Sequence, residues 1–305
     1  MVIMSKIFLI LFCFIGCLFA ESGSSFRYGV NAKSFSMGGT SASLYNPGFN
    51  GFTNPAFLTK VNKPEFGISF FKMSLDRSVQ TFSYSRDLPP SAGIALSFFR
   101  SGIDEIILTD SNNNFIEKVE QWEGYGAMSF GFKFSDKASF GFTLKTYINE
   151  LHDYSAKGIG FDFGFIANPA KFIDLGVSMQ NLGSKYKWEI AGEKYDEDIL
   201  MMLQLGLAYN KINNLILTGQ LDKVENKDAL TRLGMEYEIK IPKNDFSVFL
   251  RAGIKETNSD MLFFAGFGIP IKLSNRLKLL LDYSIDPGMV DEGMSHLFSF
   301  SLLNN

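Results

Sequence analysis

From about residue 66 to the end of the chain, apolar residues alternate with small or polar residues at a period of two. Phe130 and Phe132 follow this pattern before a turn at Ser135–Lys137, and Phe140 and Phe142 continue it afterwards. Side chains of a strand point alternately to opposite faces, whereas a helix would need a period of 3.6. The pattern therefore predicts an all-β chain whose strands each have one apolar face.

About fourteen such segments of roughly ten residues can be counted, which is the length that crosses a bilayer when a strand is tilted. We predict strands at residues 66–73, 78–86, 91–100, 122–134, 138–149, 158–167, 172–181, 200–210, 215–223, 230–240, 245–255, 260–270, 277–286 and 294–303. An even number of strands would close an antiparallel barrel with both of its ends on the same side of the membrane.

The links between these strands alternate in length. Compact turns are predicted at 87–90, 135–137, 168–171, 211–214, 242–245 and 271–276. Mostly longer, more polar links are predicted at 101–121, 150–157, 182–199, 223–229, 256–259 and 287–293. Short periplasmic turns and longer external loops are typical of outer-membrane barrels. A soluble β-sandwich or propeller is the alternative, but it requires neither uniformly long strands nor this alternation.

The N-terminus has the pattern of an export signal. Lys6 precedes the apolar run Ile7–Phe19, and Ala20 follows it. A basic residue, a short apolar stretch and a small residue are typical of a secretory signal peptide. Lipidation at Cys17 is the alternative to cleavage after Ala20. Because Cys13 and Cys17 are the only cysteines, we expect a mature chain without disulfides or thiol chemistry.

Residues 21–65 do not alternate, and they contain Gly-Gly and Asn-Pro pairs that indicate turns. The segment is also rich in Phe and Leu, which favour burial over an unstructured periplasmic tail. We therefore predict that it folds into the lumen as a plug. The expected organisation is a signal peptide at 1–20, a plug segment at 21–65 and an outer-membrane barrel at 66–305.

The plug segment also carries a family resemblance. AKSFSMGGTSASLYNPGFNGFTNPAFL, residues 32–58, resembles the opening signature of the PorV/PorQ family of FadL-like outer-membrane barrels. Its matching positions are Met37, Gly38, Gly39, Asn54, Pro55 and Ala56. Further similar segments are RLGMEYEI at 232–239, LRAGI at 250–254, LDYSI at 281–285 and HLFSFSL at 296–302. The resemblance thus covers the chain from about residue 30 onward.

The resemblance implies a fourteen-stranded barrel with its N-terminal segment inside, in the outer membrane of a diderm bacterium. Its implied function is type IX-like protein secretion or surface attachment, with secreted proteins or secretion components as partners and links 101–121 and 182–199 as docking loops. One alternative is FadL-like transport of a hydrophobic small molecule held near Phe49, Phe52 and Phe57. The other alternative is a structural or surface-antigen barrel. Outer-membrane lipids surround the barrel in each case.

The strand face opposite the apolar one is predicted to line the lumen with mixed charges. It carries Lys133, Lys145, Asp162, Arg232, Glu236, Arg251 and Asp282. We expect most of these ions to pair with one another, and some to hold the plug. No catalytic, metal-binding or cofactor-binding pattern accompanies them, so no enzyme activity is expected. The net charge of −3 also gives no basic footprint for nucleic acid.

Overall fold

The computed structural model describes residues 21–304, except 191, 242–245, 259, 287 and 289–292. The predicted signal peptide, with Cys17 and Ala20, lies outside the described residues. Within the described part of the chain, no helix is both long and apolar enough to span a membrane.

Strands dominate the fold from Glu65 onward. They are β1 (Glu65–Lys72), β2 (Arg77–Leu88), β3 (Ala92–Thr109), β4 (Phe115–Ser135), β5 (Ala138–Leu151), β6 (Tyr154–Ala170), β7 (Ile173–Ile190), β8 (Glu193–Asp198), β9 (Met202–Tyr209), β10 (Leu215–Val224), β11 (Ala229–Ile241), β12 (Phe246–Glu256), β13 (Met261–Lys272), β14 (Leu277–Asp286) and β15 (Ser295–Asn304). All neighbouring strands are antiparallel, and β1 pairs with β15 to close the sheet. Because β8 pairs only with β7, the closed wall has fourteen strands, as predicted.

The two faces of the wall follow the predicted alternation. In β1, Phe66, Ile68 and Phe70 point outward and are 42%, 38% and 47% exposed, while Ser69 and Phe71 point inward and are buried. Outward rings also stack across strands, as Phe130 does on Phe142 with centroids 5.2 Å apart. This apolar outer belt is the surface that a bilayer would cover.

The N-terminal segment lies inside the barrel and contains four short helices. They are α1 (Ser24–Arg27, 3₁₀), α2 (Ala32–Ser36), α3 (Asn50–Thr53) and α4 (Pro55–Lys60, 3₁₀). Caps define two of these helices, because the Asn31 and Asn54 side chains accept hydrogen bonds from the backbone nitrogens of Ser34 and Ala56. The predicted fold class, a closed barrel with its N-terminal segment in the lumen, is confirmed.

Three of the predicted long links are largely β-structure rather than loops. The shortest, 150–157, is a tight hairpin in which Leu151 of β5 pairs with Tyr154 of β6. In the 101–121 link, residues 103–109 of β3 pair with 115–121 of β4. In the 182–199 link, β7 continues to Ile190 and turns back as β8. Beyond a bilayer neither strand face needs to be apolar, so the alternation disappears although the backbone ladder continues. We call the end that carries these hairpins the external end, and the opposite end periplasmic.

Candidate functional site: a chain of cavities above the plug

Three cavities lie between the plug and the external half of the wall. The mouth cavity, about 430 Å³, is lined by residues 21–25 and by the external ends of several strands, including Trp122 and Trp188. The side cavity, about 200 Å³, lies between the plug, β1 and β12–β15, with Phe71 and Leu262 in its lining. The central cavity, about 60 Å³, lies deeper and reaches Phe52.

Shared lining residues connect the three cavities. Tyr28 and Arg77 line both the mouth and side cavities, and the Arg77 guanidinium donates to the Tyr28 hydroxyl at 3.4 Å. Five residues line both the side and central cavities: Arg27, Tyr28, Phe35, Lys255 and Phe264. Tyr28 therefore stands where all three cavities meet. The arrangement provides a series of spaces leading from the external mouth into the lumen.

Aromatic rings form much of the boundary of these spaces. Phe35 packs edge-on against Phe71 and Phe264, with centroids 4.9 and 5.0 Å away. Phe26 makes a similar contact with Tyr125 at 5.1 Å. Such edge-to-face packing holds rings firmly and leaves apolar faces toward a cavity. The lining can therefore accept a small apolar molecule.

Several basic side chains stand around the same cavities. Arg27 and Lys227 both bind the Glu21 carboxylate at 2.5 Å. Burial raises the pKa of Glu21, but hydrogen bonds from Lys227 and Arg27 outweigh it and leave that pKa below its usual value. Arg232 pairs with Asp222. The first turn of the plug is thus tied by charge to the β10–β11 turn.

Below the central cavity, the plug is bound to the wall by many polar contacts. The Gln220 side-chain oxygen accepts from the backbone nitrogens of Ser41 and Ala42 at 2.8 and 2.9 Å. The Thr40 and Thr218 hydroxyls lie 2.7 Å apart. In addition, the Lys33 ammonium lies 3.6 Å from the Glu236 carboxylate. These contacts satisfy plug backbone groups that would otherwise be buried without partners.

The Met-Gly-Gly and Asn-Pro-Ala motifs both lie within this bound part of the plug. Met37 is fully buried, and Gly38 and Gly39 have φ of 72° and 81°, which favour glycine. Asn54 donates to the backbone oxygens of Ala42, Phe165 and Val177, while Pro55 and Ala56 begin α4. The motifs therefore fix the plug to the wall. Gly38 and Gly39 also line the central cavity, but neither motif lines the mouth or side cavities.

The three phenylalanines expected near a ligand occupy different places. Phe52 lines the central cavity. Phe49 is 2% exposed and packs beside Phe52 with centroids 6.4 Å apart. Phe57 is 1% exposed and belongs to a separate cluster with Ala56 and Ile166. Of the three, only Phe52 faces a cavity described above. Phe35 and Phe264 line two cavities, but no periodic signal in the sequence distinguished them.

The expected lumen-facing charges form local pairs or small networks. Lys145 binds Asp162 at 2.8 Å, and both are buried. Arg251 binds Glu236 and Asp282, each at 2.6 Å. The remaining predicted positions also have partners: Arg232 contacts Asp222 and the Gly39 carbonyl oxygen, whereas Lys133 contacts Asp136 in the β4–β5 turn. The Lys133 side chain is 45% exposed at the periplasmic rim, so it lies away from the lumen interior.

The wall has an irregularity at β7 rather than in the membrane part of β3. β3 pairs without register shifts along β2, and its shifts against β4 begin only beyond Ile103. In β7, two extra residues relative to β6 lie near Asn181 and Gly183, both with φ of 60°. Asn181 accepts hydrogen bonds from Lys145 and Tyr147 there. The bulged section of β7 is thus hydrogen-bonded to Lys145, which itself pairs with Asp162 in the lumen.

The described residues include no group of three or more His, Cys, Asp or Glu side chains arranged to hold a metal ion. His296 lies on the outward face and forms a 2.8 Å hydrogen bond with the Tyr283 hydroxyl. Ser295, its neighbour, is buried on the inward face. The two side chains therefore point to opposite faces, as adjacent strand residues do.

Comparison with known proteins relates this fold to transport barrels. No protein-family model and no curated protein sequence matches the chain. The Ralstonia pickettii toluene transporter TbuX superposes with a TM-score of 0.63 at 12% identity, covering 92% of this chain and 99% of that one. The Pseudomonas putida toluene transporter TodX gives 0.61 at 13% identity, with coverages of 91% and 96%. A Pseudomonas aeruginosa FadL homologue gives 0.58 at 12% identity, with coverages of 90% and 98%.

The fold is therefore that of FadL-type outer-membrane barrels, which agrees with the location expected from the sequence, the outer membrane of a diderm bacterium. The structural neighbours support the FadL-like part of the family resemblance. They do not support the narrower assignment to PorV/PorQ or the associated role in protein secretion.

Proposed function

We propose that this protein transports hydrophobic small molecules across the outer membrane. The observation that carries the proposal is the series of aromatic-lined cavities between the external mouth and the plug. Small-molecule sites are usually concave and mostly apolar, with a few polar groups. Two structural neighbours, TbuX and TodX, are toluene transporters, and this favours the same class of ligand. Type IX-like secretion has no comparable support.

The route begins at the mouth cavity, passes Tyr28 and reaches the rings of Phe35 and Phe264. An apolar molecule gains free energy there because it leaves water for an aromatic surface. Beneath the central cavity, Phe57 and Leu58 of α4 are 1% and 0% exposed. Passage beyond that point requires the plug to shift, so we propose that bound ligand precedes plug movement.

Toluene uptake into vesicles that contain the purified protein tests this function. We expect uptake faster than in protein-free vesicles, because toluene otherwise enters only through lipid. Phe264→Ser removes a ring shared by two cavities and should lower toluene affinity about three- to tenfold. Phe134→Ser is the matched control, since Phe134 is 78% exposed at the periplasmic rim. Equal uptake with and without protein would refute the proposal, provided that heat-modifiable gel migration shows a folded barrel.

A further inference from the structure

Lys255 is a cation on the inner wall of the barrel. It lies at the external end of β12 and lines both the side and central cavities. No hydrogen bond, ion pair or ring contact joins its side chain to another residue in the described part of the chain. Charged side chains inside proteins are almost always paired. Among the described residues, Lys255 therefore lacks the directly bound partner that an enclosed charge usually has.

Arg232, the residue across the sheet from Lys255, makes an unpaired charge at Lys255 still less favourable. Arg232 of β11 stands directly opposite Lys255, and both face the lumen. Like charges directly opposite each other destabilise a sheet. Asp222 compensates Arg232, with which it pairs. The carboxylate of Asp286, which also lines the side cavity, accepts from the Gly288 nitrogen at 2.9 Å. Both carboxylates attract Lys255 through space, but neither lies within ion-pair distance of its ammonium.

The surroundings of Lys255 indicate what kind of anionic ligand could pair directly with its ammonium. Tyr28, Phe35 and Phe264 line the same two cavities and offer ring surfaces next to the ammonium. The side cavity, at about 200 Å³, has room for one substituted ring rather than for a long extended chain. Since Arg27 and Arg232 already bind carboxylates of the protein, a ligand needs only one negative charge to pair with Lys255.

We infer that the side and central cavities bind a monoaromatic carboxylate, with its ring against Phe35 and Phe264 and its carboxylate paired with Lys255. This inference rests on the proposed transport of small hydrophobic molecules and gives its substrate an anionic group. The pairing neutralises Lys255 and offsets its repulsion by Arg232, which a neutral hydrocarbon cannot do. A charge-assisted hydrogen bond in this enclosed site is also stronger than one in water.

Equilibrium dialysis of the purified full chain against radiolabelled benzoate, toluene and acetate tests the inference. We expect wild type to bind benzoate more tightly than toluene, and acetate only weakly. Lys255→Met keeps the length of the side chain but removes its charge, so benzoate affinity should fall roughly ten- to hundredfold. Toluene affinity should change by less than about threefold because toluene carries no charge to pair, and Lys255→Arg should retain most of the benzoate binding.

Lys118→Met is the matched control, because Lys118 binds Glu105 at 2.9 Å in the external β3–β4 hairpin, away from the cavities. Equal losses of benzoate and toluene in Lys255→Met would mean that Lys255 is only structural and would overturn the inference. Acetate competing as well as benzoate would reduce the site to a general anion site. If the protein bound toluene but not benzoate, this inference would be wrong and the proposed function would stand. If it bound neither compound, the proposed function would be contradicted as well.

Discussion

At the scale of single residues, the lumen depends on a few compensated charges. Arg251 is 4% exposed and is held between Glu236 and Asp282, which are 5% and 3% exposed. Lys33 of the plug reaches the same Glu236 carboxylate. Removing one member of such a buried network leaves the others without compensation, and this costs more than the intact pair contributes.

Arg251→Met should therefore destabilise the barrel by about 3–5 kcal/mol, because two buried carboxylates lose their shared cation. The midpoint of heat-modifiable gel migration measures the change. Arg276→Met is a suitable control, since Arg276 is exposed in the β13–β14 turn. If both variants melted at the wild-type temperature, the network would not stabilise the fold.

A second residue-scale prediction concerns acid. The pKa of Glu21 is lowered in the folded protein, so the bonds to Arg27 and Lys227 stabilise the fold above the unfolded-state value of about 4.5. That stability is lost as the pH falls through the lowered pKa. Unfolding free energies of wild type and Glu21→Gln should thus differ at pH 7 and converge once the pH falls below the lowered pKa of Glu21. A difference that does not change with pH would contradict the assigned ion pairs.

At the scale of elements, the plug approaches the wall closely at several inward-facing glycines. A Cβ at Gly253 of β12 would overlap the backbone of Met37 and Gly38, and one at Gly176 of β7 would overlap Ala42. At Gly219, on the outward face of β10, the nearest atom to a Cβ would be Leu233 Cδ2 at 3.7 Å. Inward glycines therefore make room for plug backbone, whereas Gly219 does not.

Gly253→Val should displace the Met37–Gly38 part of the plug while the strand ladder still forms. Single-channel recordings in planar bilayers should then show a higher conductance than wild type. Gly219→Val should remain at the wild-type conductance because its side chain points to lipid. An unchanged conductance in Gly253→Val, with the plug still protected from added protease, would rule out this docking contact.

The elements differ in how well sequence alone predicts them. Strands within the bilayer are predictable because lipid on one side and lumen on the other impose a period of two, and β14 was placed at its observed bounds of 277–286. The external part of β3, beyond Ile103, was missed because water on both faces removes that signal. The cavities were missed too, since α1 and α2 place Phe35 opposite Phe264 only after the plug docks.

At the scale of the whole molecule, the barrel combines an accessible external half with a closely packed periplasmic half. The mouth, side and central cavities lie above the plug contacts of Thr40 and Gln220, and α4 fills the space beneath them. Transport in this arrangement requires a plug that binds firmly at rest and moves when ligand is present. We therefore expect plug movement to limit the passage of a hydrophobic molecule.

A reversible lock on the plug provides the most direct measurement. The chain contains no cysteine after Cys17, so an engineered disulfide would form without competing thiols in the barrel. Thr40→Cys with Thr218→Cys ties plug to wall, where the two hydroxyls lie 2.7 Å apart. Ser83→Cys with Ser97→Cys joins two neighbouring wall strands, where the hydroxyls lie 3.1 Å apart, and serves as the control.

Toluene uptake by vesicles containing each protein is then measured before and after reduction. We predict that the oxidised Thr40–Thr218 lock abolishes protein-dependent uptake and that reduction restores it. The oxidised Ser83–Ser97 control should transport at the wild-type rate throughout. Undiminished uptake through the fully oxidised plug lock would contradict the claim that the plug must move.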